Sequence, residues 1–502
     1  MNEVYTDVLI VGAGLSGIGA ACHLQRECPG KSYAVVEARD AIGGTWDLFR
    51  YPGIRSDSDM QTLGYDFKPW RGEKSLADGP SIRKYVEEAA QENGVTPHIR
   101  FGHCVVAGDW SSKDACWRVT AELNGGETSV FRCQFLFMCS GYYDYGEPYL
   151  PAFPQQEAFK GHLFHPQLWP EGLDYTGKKV VVIGSGATAV TLVPAMADKV
   201  ESIVMLQRSP TYIVSRPGRD KFANLLRKIL PDNLAYAITR WKNVMWQNGF
   251  YKLTRAKPLK VKQKLLKLIR KELGPDYDVD THFSPTYNPW DQRLCLVPDN
   301  DLFKAIRSGK AAVVTDEIVQ FSETGIDLKS GQHLDADIVI SATGLNMTSL
   351  GKSRLSIDGE TINFADRWTY RGAMYSGVPN LVSTFGYINA SWTLRADIIA
   401  RFVCRLIKHM DSTGTRVVTP KLRPGDQDMQ PRLWIENFPA GYMRRGLGQY
   451  PMQGDREPWT NPQIYLQEKQ VFISGPLEDG VLHFENTGAA AMQEAPRSGQ
   501  PA

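Results

Sequence analysis

Two glycine turns, Gly12-Ala-Gly14-Leu-Ser-Gly17 and Gly184-Ser-Gly186-Ala187-Thr188-Ala189, each follow an apolar run and open an Ala-rich helical stretch. With a further apolar strand, Asp337-Ile-Val-Ile-Ser-Ala-Thr-Gly344, they predict an α/β chain of two Rossmann-like dinucleotide-binding domains, the second inserted in the first, with a helical insertion. In each turn the first Gly makes the tight bend and the second lets backbone approach a pyrophosphate. The third small residue packs helix on strand beneath the positive helix N-terminus. Thr6 to Val11 and Lys179 to Ile183 are the strands that the motif requires ahead of each turn.

Following the chain, the first unit runs to the apolar strand Phe135-Leu-Phe-Met-Cys-Ser-Gly141, and a Pro- and Tyr-rich connection from Tyr142 to Pro154 leaves it. The second unit starts near Lys178 and closes at Gly344, after which Gly377-Val-Pro-Asn380 and its following strand return to the first. The expected domains are therefore 1–145 with 345–486, binding FAD, and 146–344, binding NADPH. A helical, basic insertion spans about 220–277, and 487–502 reads as a disordered tail.

The ligand assignment rests on the ends of the second strands, which lie near the adenosine ribose. After the first motif the chain reads Ser32-Tyr-Ala-Val-Val-Glu37, and a carboxylate there accepts both ribose hydroxyls while repelling a 2′-phosphate, which suits FAD or NAD. After the second, Ser202 to Gln207 ends in Arg208-Ser209 with no acid, and a guanidinium takes a 2′-phosphate in a bidentate pair, which suits NADPH. The plain alternative for Glu37 and Arg208 is a solvated strand end.

Composition is that of a large enzyme: 502 residues with 42% hydrophobic content allow two or three domains with sizeable cores. A net charge of +2 argues against a nucleic-acid partner. The eight cysteines are scattered without a Cys-x-x-Cys pair, which excludes the usual dithiol redox centre, a zinc ribbon and a disulfide scaffold. The first strand begins too early for a signal peptide, and no apolar run approaches the ~18 residues of a spanning helix, so a cytoplasmic location is the default expectation. Gly351-Lys-Ser353 resembles the end of a P-loop, but Asn346 stands where its first Gly is required.

Within 252–271 there are nine Lys or Arg and no acid, preceded by Trp241, Trp246, Phe250 and Tyr251. One reading is a helix pair resting on an anionic membrane surface as a peripheral contact. The favoured one is a solvated helical face, since overall charge is balanced and Pro258 interrupts the run.

Between the two units lies Phe159-Lys-Gly161-His-Leu-Phe-His165-Pro-Gln-Leu-Trp169-Pro170, which resembles the F-x-G-x-x-x-H-x-x-x-W-P fingerprint of Baeyer-Villiger monooxygenases. Gly43-Gly44-Thr45-Trp46-Asp-Leu-Phe-Arg-Tyr51-Pro52-Gly53-Ile-Arg-Ser-Asp57 is similar to that family's second signature. The likeness covers nearly the whole chain. Its nearest form is the ethionamide monooxygenase branch, on Tyr51 to Asp57 and on Tyr287-Asn-Pro-Trp-Asp-Gln-Arg293-Leu-Cys-Leu-Val-Pro298.

The resemblance implies FAD and NADPH as cofactors and O2 with a small ketone or sulfide as substrates. It implies insertion of oxygen next to a ketone carbonyl via a C4a-peroxyflavin, giving an ester or lactone. Arg293 matches the family's active-site arginine and Asp57 the acid that pairs with it; a preorganised donor of this kind is worth roughly 3 kcal/mol in the transition state. Gly44, Thr45 and Trp46 join the glycines in cofactor binding, and Phe159, Gly161, His165 and Trp169 couple domain movement to NADPH. For His165 and Trp169, simple packing in a domain connection stays open beside that role. Gln292 departs from the basic residue that cyclic-ketone members carry before the arginine, so the cation that helps hold the nicotinamide end in those members is absent at this position. The alternative is a flavin-containing monooxygenase acting mainly on sulfides, thioamides or amines.

Overall fold

In the computed structural model, which describes residues 3–292, 294–436 and 440–486, the strand Glu3–Val11 runs inside a nine-stranded sheet. It pairs in parallel with Tyr33–Val36 on one side and Thr128–Met138 on the other, so Val11 stands beside both Val36 and Met138. Val8 and Ile10 enter one core, with the helices Leu15–Glu27 and Trp392–Thr413, while Leu9 and Val11 enter another with Trp110 and Trp117. This alternation follows from the two-residue period of a strand covered on both faces. Each fully buried Val, Leu or Ile contributes about 1.5–3 kcal/mol. Strands Arg354–Ile357 and Leu381–Ser383, from late in the chain, join the same sheet.

A separate five-stranded parallel sheet takes its strands from the middle of the chain. Their order is Ala311–Thr315, Ser202–Gln207, Lys179–Ile183, Ile338–Ser341 and His162–Phe164. Phe49 and Tyr51 belong to the first segment of the chain yet pack in this second unit's core. One loop of the first unit is therefore built into the second.

The basic insertion forms three helices, Lys221–Ile229, Asp232–Ala256 and Pro258–Leu273. Pro258 begins the third of them, at a position where its missing N–H has no partner to lose. That helix turns Val261, Leu265, Leu266 and Ile269 inward and leaves its lysines in solvent. The Asp232–Ala256 helix lies instead against the first unit, where Arg240 donates to the carbonyls of Gln61 and Gly64 and pairs with Asp397. All eight cysteines are free thiols, seven of them buried. Among the described residues no helix is long and apolar enough to cross a membrane. The tail expected over 487–502 lies outside the described residues.

Candidate active site

The first glycine turn is a cradle that side chains would fill. Gly12 has φ +106°, and a Cβ on it would lie 2.6 Å from the Cys139 carbonyl oxygen; one on Gly17 would lie 1.7 Å from that of Gly12. Gly14 faces Gly44, where a Cβ would come within 3.1 Å of the Gly14 Cα. Bare backbone is thus kept at the mouth of the Leu15–Glu27 helix, where N–H groups and the helix dipole favour a pyrophosphate. Glu37, 6% exposed, accepts the N–H of Ala13 at 2.7 Å and that of Arg39 at 2.9 Å. Burial raises its carboxyl pKa while these two bonds oppose the rise. Nearby, Arg39, Arg50 and Arg83 converge on the buried Asp47 at 2.6, 2.7 and 2.9 Å. The first cradle thus combines a bare-backbone groove with a buried acid at the end of the second strand, and these residues fit a flavin dinucleotide.

The second cradle has the same bend in a more open setting. Gly184 has φ +129° and a Cβ on it would meet the Ala342 carbonyl oxygen at 2.4 Å, but nothing lies within 4 Å of a Cβ on Gly186. Gly186 and Ala187 are exposed and Thr188 half-buried, at the start of the Ala187–Met196 helix. Arg208 and Ser209 are exposed at the end of Ser202–Gln207, and the Ser209 carbonyl accepts the Ser185 hydroxyl at 3.1 Å. Arg208 has no ion-pair partner among the described residues, so its guanidinium is available to an anion. An open cradle with a strand-end cation fits a dinucleotide bearing a 2′-phosphate.

One cavity of about 530 Å³ joins the two. It runs from Gly12, Gly14 and Glu37 past Gly44, Thr45 and Trp46 to Asp57, and reaches Ala187 and Thr188 at the second helix. Gly17, Gly184, Gly186, Arg208 and Ser209 are not among its walls; Gly17 and Gly184 act beneath their turns, and the other three are exposed to solvent.

The loop from Phe49 to Asp57 explains how an acid of the first unit reaches this junction. Tyr51 is buried in the second core with its pKa pushed up to about 12 by burial. Gly53, at φ +77°, brings its Cα so close to the second helix that a Cβ would lie 2.5 Å from that of Ala195. Arg55 pairs with Asp301 at 2.5 Å. Clamped at three points, the loop sets Asp57 in the cavity wall. Arg293, the expected partner, lies outside the described residues.

The fingerprint between the units builds a junction. A Cβ on Gly161 would lie 2.3 Å from the Asp337 carbonyl oxygen, which keeps His162–Phe164 against Ile338–Ser341. Phe159 is buried beside Phe321, and Trp169 packs edge-on against Phe164 and Tyr175. His165 Nδ1 accepts the Gln167 N–H at 3.1 Å, so Nε2–H donates to the Gly344 carbonyl at 2.8 Å. Burial lowers its pKa and keeps the ring neutral. Gln167 in turn donates to the carbonyls of Asp144 and Tyr145 at 2.9 and 3.1 Å, while the Asp144 N–H bonds the Asn346 carbonyl. Both strands of chain that pass between the units are thereby tied to one turn.

Sequence reasoning missed several walls of the cavity. Trp392 stacks on Tyr142 with centroids 5.0 Å apart and donates Nε1–H to Ser16 at 2.8 Å. Lys352, from the segment that only superficially resembles a P-loop, pairs with Asp144 at 2.5 Å and lines the cavity with Gly351 and Ser353. No local pattern announces these residues; long-range folding brings them in.

Two glycine cradles opening on one cavity define an oxidoreductase with two dinucleotide sites, and the comparisons specify its class. The model of the flavin-binding monooxygenase-like family matches residues 75–350, and that of an NAD(P)-binding Rossmann-like domain matches 10–71. The FAD-containing monooxygenase EthA of Mycobacterium tuberculosis is 51% identical over 481 residues, covering 96% of this chain and 98% of that protein. A probable FAD-binding monooxygenase, AlmA, of Acinetobacter baylyi is 48% identical over 485 residues, covering 96% and 97%. The chain belongs to the flavin-binding monooxygenase-like family. The solved structure of an oxidised steroid monooxygenase bound to NADP shares its fold, with a TM-score of 0.75 at 21% identity over 96% of this chain and 100% of that one.

Proposed function

We propose that this flavoprotein monooxygenase is an FAD-dependent, NADPH-consuming enzyme of Baeyer-Villiger type, inserting one oxygen atom of O2 next to a ketone carbonyl. The observation that supports this reading is the single cavity that links both cradles and has Asp57 in its wall. Bound FAD supplies hydride acceptance from NADPH and activation of O2. Gly12, Gly14 and Gly17 form the backbone cradle for its pyrophosphate, Glu37 accepts from its ribose, and Gly44, Thr45 and Trp46 border its site. Gly184, Gly186, Ala187 and Thr188 hold the NADPH pyrophosphate, and Arg208 with Ser209 its 2′-phosphate.

Asp57 orients Arg293, whose guanidinium stabilises the negative charge that develops on the substrate's carbonyl oxygen. Tyr51, Tyr142 and Trp392 give the cavity apolar walls that exclude water and so protect the reduced oxygen from loss as H2O2. His165 is a positioning residue: a neutral ring bonded on both nitrogens holds the junction and transfers no proton.

The test supplies FAD-loaded protein, NADPH and O2 with a linear ketone and an aryl methyl sulfide in parallel and identifies products by mass spectrometry. An ester from the ketone is expected, and Arg293→Ala should abolish it while NADPH oxidation persists. Sulfoxide without ester would move the activity to heteroatom oxygenation of sulfides, thioamides or amines.

A further inference from the structure

The helix Asp232–Ala256 is amphipathic in the inverted sense. Its polar stripe, Tyr236, Arg240, Asn243 and Gln247, faces the first unit: Tyr236 donates to the Tyr65 carbonyl, Arg240 to the carbonyls at 61 and 64, and Asn243 and Gln247 to Asp59. At 100° per residue the opposite face carries Leu234, Ile238, Trp241 and Met245. Trp241 is 67% exposed, and Leu234 and Met245 are exposed with it.

The preceding helix, Lys221–Ile229, continues this surface. Phe222, Leu225 and Ile229 recur at helical spacing and are all exposed, Ile229 at 66%. Pro231 joins the two helices, and Lys242 sits over the Phe222 ring at 4.6 Å, which packs the first helix against the second. Six of these seven side chains, all but the half-buried Ile238, form an exposed apolar ridge, far above the scattered single hydrophobes of an ordinary surface.

The ridge is embedded in positive charge. Residues 219–273 hold fifteen Lys or Arg against three Asp or Glu, an excess of twelve, while the entire chain has a net charge of only +2. Two of the three acids are already paired, Asp220 with Lys242 and Asp232 with Arg71. The lysines of Pro258–Leu273 form a largely solvated face in which Leu259 and Leu268 are also exposed, while most of the exposed large apolar side chains of this region lie on the two helices before it.

We infer that the Lys221–Ile229 and Asp232–Ala256 hairpin docks this protein on an anionic lipid surface, lying in the interface without crossing it. Apolar side chains with Trp enter the headgroup boundary while flanking Lys and Arg meet lipid phosphates. A second copy docked through the same patch would set this basic rim against itself, which disfavours a symmetric dimer there.

The test is flotation of the FAD-loaded full chain with phosphatidylcholine vesicles prepared with and without phosphatidylglycerol. Binding should be about tenfold or more stronger to the phosphatidylglycerol vesicles and fall as salt is raised. The pair Phe222→Ser with Trp241→Ser should lose that binding by about tenfold or more while flavin content and NADPH oxidation in solution are unchanged. A second pair, Ile229→Ser with Leu234→Ser, reads the same ridge should the first disturb flavin loading. No preference for phosphatidylglycerol, or vesicle binding unaltered in both pairs, overturns the inference. So does a dimer that either pair dissociates while leaving vesicle binding intact, which would assign the ridge to a second copy.

Discussion

The two cradles share a motif and differ in enclosure, and the difference matches what each ligand has to do. Around the first, backbone from Cys139 and Gly44 closes on the glycines and Glu37 is buried. Around the second, Gly186 and Ala187 face open space and Arg208 stands exposed. A ligand kept through every cycle gains from an enclosed, preorganised groove, whereas one that must leave after each turnover needs a low-cost exit. The same fingerprint physics thus yields an enclosed groove in one unit and an open one in the other, as the proposed retained flavin and exchanging NADPH require.

The largest effect is expected at the enclosed cradle. Gly17→Ala forces a methyl group onto the Gly12 carbonyl and should cost about 3 kcal/mol or more, seen as loss of visible flavin absorbance or of folded protein. Gly186→Ala meets no protein atom, so folding and flavin content should stay intact, while its methyl group stands where the NADPH pyrophosphate approaches and should raise the KM for NADPH by about tenfold, roughly 1.4 kcal/mol. Equal damage from both would erase the distinction between enclosed and open cradles.

Arg208→Ala sharpens it from the ligand side. Loss of a charge-assisted bond of about 1.5–3 kcal/mol should raise the KM for NADPH by about tenfold or more, leaving that for NADH and the flavin content unchanged. A parallel rise for both nucleotides would place the 2′-phosphate elsewhere.

At the junction between the cradles, His165→Ala strands the Gly344 carbonyl, and NADPH-dependent kcat should drop several-fold with flavin retained. His165→Asn, which can restore one of the two bonds, should recover part of the loss. Unchanged steady-state kinetics in His165→Ala would reduce the residue to packing.

The smallest effect lies remote from both cradles, in the contact between the helical insertion and the first unit. Burial pulls the His23 imidazolium down, but hydrogen bonds to Asp397 and Glu27 outweigh it and raise its pKa from 6.5 to about 9. A group whose folded value is raised stabilises fully below 6.5 and loses that contribution as pH climbs through about 9. Thermal unfolding should therefore shift to lower temperature across that window, and His23→Leu should flatten the dependence; an identical slope in the variant would assign it to other groups.

Much of this was legible because steric rules act locally. Gly12, Gly17 and Gly184 are demanded by carbonyl oxygens that a Cβ would approach to under 3 Å, and Lys179 to Ile183 and Asp337 to Gly344 declare buried strands by apolar runs. Thr6 to Val11 marked the first strand, which the structure extends back to Glu3. The clamp of Tyr51, Gly53 and Arg55 on the second unit was not readable, since its partners Ala195 and Asp301 are remote in sequence. Nor was the orientation of Asp232–Ala256. Arg240, Asn243 and Gln247 would face water on an isolated helix, and only the carbonyls at 61 and 64 with Asp59 and Asp397 draw them inward.

Two cradles of unequal enclosure open on one cavity, and in the proposed reaction both ligands meet there. Anaerobic stopped-flow mixing of the FAD-loaded protein with NADPH tests it most directly. Rapid, saturable bleaching of the flavin absorbance is expected, with the half-saturating NADPH concentration raised in Arg208→Ala and the flavin still bound after repeated cycles. Flavin that stays oxidised, or that leaves the protein together with the spent nucleotide, would contradict it.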